Sequence, residues 1–288
     1  MRSIGTGPPS AQRTRGDSPP DVYSESETTD KHSAASAASL RGRWSSETTA
    51  QLARQFVDQA GFVGRTHEIT SPFGTDDDGR VDLRGVKMAR GYPLSIKYLA
   101  LERLDLSYAR GTLHFVETEV SDSRFDGISA SGSTFDRFFA RCSFRSARLT
   151  RARIGRRLTD CDFTGASMRK LTLGENTVFE RCTFRGADLT DAKLVGGRFV
   201  ECTFTDTTFS ALTTFDRCDF RGTVPELGPA RRIRCTHGGR PLPDSWPGQA
   251  YADDLESDYL GRYGRAVQAG TAETMPLDPE SPPGHATR

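Results

Sequence analysis

Six cysteines carry the reactive chemistry that must be accounted for first: Cys142, Cys161, Cys182, Cys202, Cys218 and Cys235. A thiolate can attack a carbon, bind a soft metal or pair into a disulfide. The spacing favours none of these. No Cys-x-x-Cys pair occurs, so a zinc site is not expected. Five of the six stand two residues before a phenylalanine: Cys142-Ser-Phe144, Cys161-Asp-Phe163, Cys182-Thr-Phe184, Cys202-Thr-Phe204 and Cys218-Asp-Phe220. There a free cysteine acts as a small apolar residue. Stacked copies could come close enough to cross-link, but a reducing cytosol opposes that. Packing is the expected role.

Other reactive types are scattered. The histidines are His32, His67, His114, His237 and His285. Cys235 and His237 are close in sequence, but two ligands without further partners do not make a metal site. Thr75-Asp-Asp-Asp-Gly79 is an acidic turn that lacks the later Glu of an EF-hand calcium loop. Glu117 and Glu119 form an exposed carboxylate pair, a weak signal for acid–base chemistry. No serine sits in a nucleophile elbow, and no glycine-rich phosphate loop is followed by lysine. The expectation is a protein with no catalytic residues, no cofactor and no metal.

One charge cluster stands out. Arg141, Arg145, Arg148, Arg151, Arg153, Arg156 and Arg157 fall within one short stretch. They are read as a basic surface patch, a candidate site for an acidic partner or a phosphate backbone. The alternative is a solvated face balanced by acids on neighbouring coils. No outward aromatics interleave with them, which weakens a single-strand nucleic-acid reading.

The frame that must position these residues is a phrase of five. Large apolar centres recur at Phe144, Leu149, Ile154, Leu158, Phe163, Met168, Leu173, Phe179, Phe184, Leu189, Leu194, Phe199, Phe204, Phe209, Phe215 and Phe220. The step is five, with slips to four or six. A small residue stands two before most centres, and the remaining positions are polar. A helix wants apolar residues at three and four, and a strand wants strict alternation. Small-x-large instead fits a very short strand followed by a corner. Glycines 165, 186, 196 and 222 supply the corners with cheap positive φ. Four corners close a square coil of about twenty residues. The first four cysteines are spaced 19, 21 and 20 apart, one coil each, and the next step, Cys202 to Cys218, is only 16. A distorted final coil near Leu212 is expected. One face is read as Leu106, Phe125, Phe144, Phe163, Phe184, Phe204 and Phe220.

This pattern resembles the pentapeptide-repeat family, whose units read Ala-(Asp/Asn)-Leu-x-x; Ala187-Asp-Leu189-Thr-Asp matches that closely. The resemblance implies an all-β solenoid, a right-handed quadrilateral β-helix. About seven coils are expected over 81–223, with short flanking helices and disordered termini. The rod would measure roughly 30–35 Å at the spacing of neighbouring strands.

The ends read differently. Residues 1–44 are Ser-, Thr-, Pro- and Gly-rich, a composition of disordered tails. Residues 45–80 read as an amphipathic helix and linker. Ser46 is the expected N-cap, with Leu52, Phe56, Val57 and Ala60 on one face and Gly61 as the stop. Residues 224–268 read as an irregular cap followed by a C-terminal helix from 249. Its Tyr251, Leu255, Tyr259 and Tyr263 form a candidate docking stripe that could cap the rod or build a homodimer. Residues 269–288 read as a second disordered tail.

Composition restrains the function. A formal net charge of +1 gives no strong pull to nucleic acid or anionic membrane. No apolar run is long enough to span a bilayer, and no signal-peptide core begins the chain, so the cytoplasm is the default. The leading expectation is a non-enzymatic scaffold binding another, unknown protein. Some members of the resembled family protect type II DNA topoisomerases such as gyrase by imitating duplex DNA. That imitation needs a strongly acidic rod, whereas charges between 99 and 223 nearly cancel here. Nucleic-acid binding through the arginines is a third reading.

Overall fold

Bulky residues five apart can share one interior only if the chain turns between them. The computed structural model, which describes residues 37–58, 66–88 and 93–245, shows such a winding. Each coil lays one short rung on each of four faces.

The first face starts with Leu94–Lys97. It continues through the beginnings of Leu113–Ser121 and Thr134–Ala140, then Arg153–Ile154, Thr172–Leu173, Lys193–Val195, Thr214–Asp216 and Arg231–Ile233, all parallel. The second runs from Ala100–Glu102 through the ends of the same two longer strands. It then adds Arg157–Thr159, Val178–Glu180, Arg198–Val200, Asp219–Arg221 and Thr236–His237. The third begins with Val81–Asp82 on Leu104–Asp105 and continues as single bridges through Arg124, Ser143, Asp162, Thr183 and Thr203. The fourth is a column of bridges from Lys87 through Arg110, Ser129, Arg148, Ser167 and Asp188 to Thr208. The first face has eight rungs, so the rod is one coil longer than the sequence reading. The added rungs, Arg231–Ile233 and Thr236–His237, lie after Pro225, where an irregular cap was expected. A hairpin of Thr236–His237 with Arg240–Pro241 then ends the rod.

The interior is a dry stack. Phe125, Phe144, Phe163, Phe184 and Phe204 lie face to face at 4.7, 5.0, 5.3 and 5.1 Å. Phe179, Phe199 and Phe220 form a second stack on the next face, at 5.2 and 5.5 Å. All six cysteines are free and buried. The thiols of Cys161, Cys182 and Cys202 each donate to a carbonyl of the preceding coil at 3.5 Å. Burial pushes the Cys182 thiol well up, so it stays protonated and unreactive.

One column differs from the sequence reading. Phe220 pairs with Phe199, not Phe204. Cys218, two residues earlier, follows it and sits beneath Cys235, in register with Asp219↔Thr236. A step of 16 is three corners with one extra residue, so it advances the chain by three faces rather than four.

The N-terminal end is more ordered than expected. Helix α1 spans Ser46–Asp58. Its N-cap is Ser45, one residue before the expected Ser46: the Thr48 N–H donates to Ser45 Oγ, and the Ser45 N–H donates to Thr48 Oγ1, both 3.1 Å. Leu52 and Phe56 are buried, but Val57 faces out and is 64% exposed. Residues 37–42 are helical, where a disordered tail was expected through 44. They are held because Trp44 Nε1 donates to the Arg84 carbonyl at 2.8 Å and Arg43 grips Asp82. Ile69, assigned to a linker, is buried in the core. A Cβ on Gly85 would lie 2.5 Å from the Leu40 carbonyl carbon. Gly85→Ala should therefore force 37–42 off the rod and lower stability by about 1–3 kcal/mol in a urea melt. An unchanged melt would mean that segment is not seated there.

Candidate interaction surface

The corners are where the five-residue rule holds or breaks. From the second face to the third, centres step by five in every coil from Val120→Phe125 to Phe199→Phe204. Third to fourth is equally strict. First to second is not: Phe135→Phe139 and Ile154→Leu158 step by four, and Leu173→Phe179 steps by six. Two tight corners lie beneath a wide one. The result is a notch of about 540 Å³ bounded by Asp136, Phe138, Arg153, Arg156, Arg157 and Glu175. Its floor is closed by backbone, because a Cβ on Gly174 would stand 3.0 Å from the Gly155 Cα.

This same edge carries the exposed apolar surface of the coils. Tyr98 is 50% exposed, Phe138 41% and Val195 39%. Each lies at, or one residue from, the first-to-second corner. Leu212, elsewhere on the fourth-to-first corner, is the other large exposed apolar side chain among the described coil residues. Phe138 stands out because it precedes Phe139, and a strand can turn only one of two neighbours inward. The Arg137 guanidinium lies over its ring at 5.6 Å and also binds Glu117 and Glu119, each at 3.1 Å. The adjacent phenylalanines, Phe138 and Phe139, are the sequence signal that one of the pair must face outward.

All seven arginines of the expected patch are exposed, but they do not form one patch. Each five-residue step turns the chain through a corner, so the stretch wraps around nearly a whole coil. Arg141 binds Asp122 at 2.6 Å and holds that carboxyl below its usual range. Arg145 binds Asp162 on the third face. Arg148 lies on the fourth face and Arg151 at the following corner, neither with an ion pair among the described residues. Arg153, Arg156 and Arg157 are the three brought together, at the notch. Arg156 binds Glu117 at 2.6 Å and Arg157 reaches Glu180 at 3.4 Å. Exposed pairs of this kind exchange readily with a partner's charges.

The stripe of Tyr251, Leu255, Tyr259 and Tyr263 lies outside the described residues. Among the described residues, no three His, Cys, Asp or Glu are grouped to hold a metal, and no helix is long and apolar enough to cross a membrane. The arrangement offers recognition by apolar contact and guanidinium, with no nucleophile–base pair at the notch.

A match to a repeat family agrees with this architecture. The family described as Pentapeptide repeats matches residues 175–210 with eight copies. Among solved structures, a trypsin-treated form of QnrB1, a plasmid-mediated fluoroquinolone resistance protein, is 17% identical. It covers 54% of this chain and 79% of its own, with a TM-score of 0.34. Full-length QnrB1 is 15% identical over 56% of this chain and 99% of its own, with a TM-score of 0.26. HetL, a pentapeptide repeat protein involved in heterocyst differentiation regulation in the cyanobacterium Nostoc, is 14% identical. It covers 44% of this chain and 82% of its own, with a TM-score of 0.19. No curated protein sequence matches the chain.

Proposed function

This chain belongs to the pentapeptide-repeat proteins, and on that footing we propose that it is a non-enzymatic cytoplasmic rod that binds a protein partner along its first-to-second edge. The observation that carries the reading is the alignment of Tyr98, Phe138 and Val195 along one edge of the rod, with Arg153, Arg156 and Arg157 beside Phe138 at its notch. Interfaces favour aromatic and arginine anchors set in a concave site. A regular coil needs none of these groups outside. They add nothing to the core, so their placement calls for a partner.

The test compares three proteins in quantitative affinity purification from the source cell. Phe138→Asp and Arg153→Glu should each lose the captured partner by at least about tenfold, a change of roughly 1.4 kcal/mol. Arg185→Glu, on the third face, should retain it. Both edge variants should melt with the parent, since outward residues shift stability by about 0.5 kcal/mol or less. Equal capture by all three would remove the edge from the interaction. Gyrase protection is the competing outcome. A change in supercoiling by purified gyrase that Phe138→Asp leaves intact would favour that reading over edge binding.

A further inference from the structure

The N-terminal end of the rod holds two carboxyl groups that the packing and the interaction edge leave unexplained. Asp76 sits in the acidic hairpin that closes with the Thr75–Val81 bridge. Asp105 stands on the third face beneath it. Their side chains are 4% and 1% exposed. Asp76 Oδ1 accepts from the backbone N–H of Asp78 at 3.0 Å and of Arg80 at 2.7 Å. Asp105 Oδ1 accepts from the Ser107 N–H at 2.8 Å. The other oxygen of each, Oδ2, is buried without a hydrogen-bond partner, and both converge on the same guanidinium nitrogen.

One positive group faces both. Arg124 Nη1 lies 3.9 Å from Asp76 Oδ2 and 3.6 Å from Asp105 Oδ2. That guanidinium is shared with Asp78 at 2.7 Å and Asp126 at 3.9 Å. Arg84 acts on both carboxyls from farther away, but its hydrogen bonds go to Asp82. Two buried negative charges meeting at a partly engaged arginine would repel strongly. One negative charge and one O–H would instead satisfy both orphan oxygens.

We propose that Asp105 keeps a proton on its buried Oδ2 beside Asp76, and that release of this proton loosens the 75–81 hairpin from the rod. The hydrogen leaves as a proton to solvent, and no other bond changes. Burial, then the neighbouring Asp76 carboxyl, raises Asp105 above the usual carboxylate range, in keeping with that geometry. The sign follows. A raised folded pKa gives stability that is complete below the unfolded value and lost as pH rises through the folded one. The hairpin is thus a proton-held clasp over the first coils, beside the Asp82 site that seats the chain at Arg43.

Hydrogen exchange of the full chain tests this, with rates corrected for the intrinsic effect of pH. The reporters are the Asp76, Gly79 and Asp82 amides, which donate to Arg80, Asp76 and Gly74 carbonyls. Their protection should fall as pH rises, by up to about tenfold per pH unit once the proton is leaving. Asp105→Asn supplies an N–H to Asp76 Oδ2 at every pH, so its protection should stay flat. A flat parent profile, or the same slope in Asp105→Asn, would overturn the proposal. So would recovery of protection at high pH on adding calcium chloride, since a cation would then be the natural occupant.

Discussion

Phe184→Ala is expected to destabilise the rod by about 3–5 kcal/mol in a urea melt. Its ring is stacked on Phe163 at 5.3 Å and Phe204 at 5.1 Å, with Phe179 edge-on at 5.3 Å. It is 1% exposed. The coils above and below are fixed by their ladders, so the gap cannot close by collapse. Arg185, the next residue, points out, and Arg185→Ala should change stability by about 0.5 kcal/mol or less. Similar losses at the two positions would mean that inward and outward have been confused.

Asp82→Ala should remove about 2–3 kcal/mol at neutral pH, somewhat less than a fully buried pair because its arginines are partly exposed. The Asp82 side chain is 4% exposed and accepts from Arg43 Nη1 at 2.9 Å, Arg84 Nε at 3.0 Å and Arg84 Nη2 at 2.9 Å. Burial alone would raise its pKa; the hydrogen bonds from Arg84 and Arg43 outweigh burial and hold the carboxyl well below the usual range. A depressed folded pKa contributes stability that is present above the unfolded value and lost as pH falls beneath it. The gap between parent and Asp82→Ala should therefore be full near neutrality and shrink below about pH 4. The trend is opposite to that of Asp105. A gap that widened in acid would show that Asp82 is not an anion held by its arginines.

The coil itself was legible because its cause is local. A small residue, a polar one and a bulky one make one rung, and Cys182-Thr-Phe184 states that without help from distant chain. The column of Cys142, Cys161, Cys182 and Cys202 followed from spacing alone. The same spacing misplaced Phe220, because a coil position depends on every corner before it. One six-residue step, Phe209→Phe215, shifts the count. The arginine stretch was misread for a related reason: closeness in sequence is not closeness on a face when the chain turns every five residues. The N-terminal seat was illegible because it joins residues about forty apart, Arg43 with Asp82 and Trp44 with Arg84, and no repeat marks them. At the edge, the slips to four and six were visible, but nothing in one dimension showed that three of them share a corner.

Spin-label distances along the first face test the winding most directly. Ser95, His114, Thr134, Arg153, Thr172, Lys193 and Thr214 form one outward column in unbroken register. Labels pairing Thr214 with Thr134, His114 and Ser95 should give about 19, 24 and 29 Å, one inter-strand spacing per coil. Distances that do not grow by that equal step would contradict a chain wound in four-sided coils.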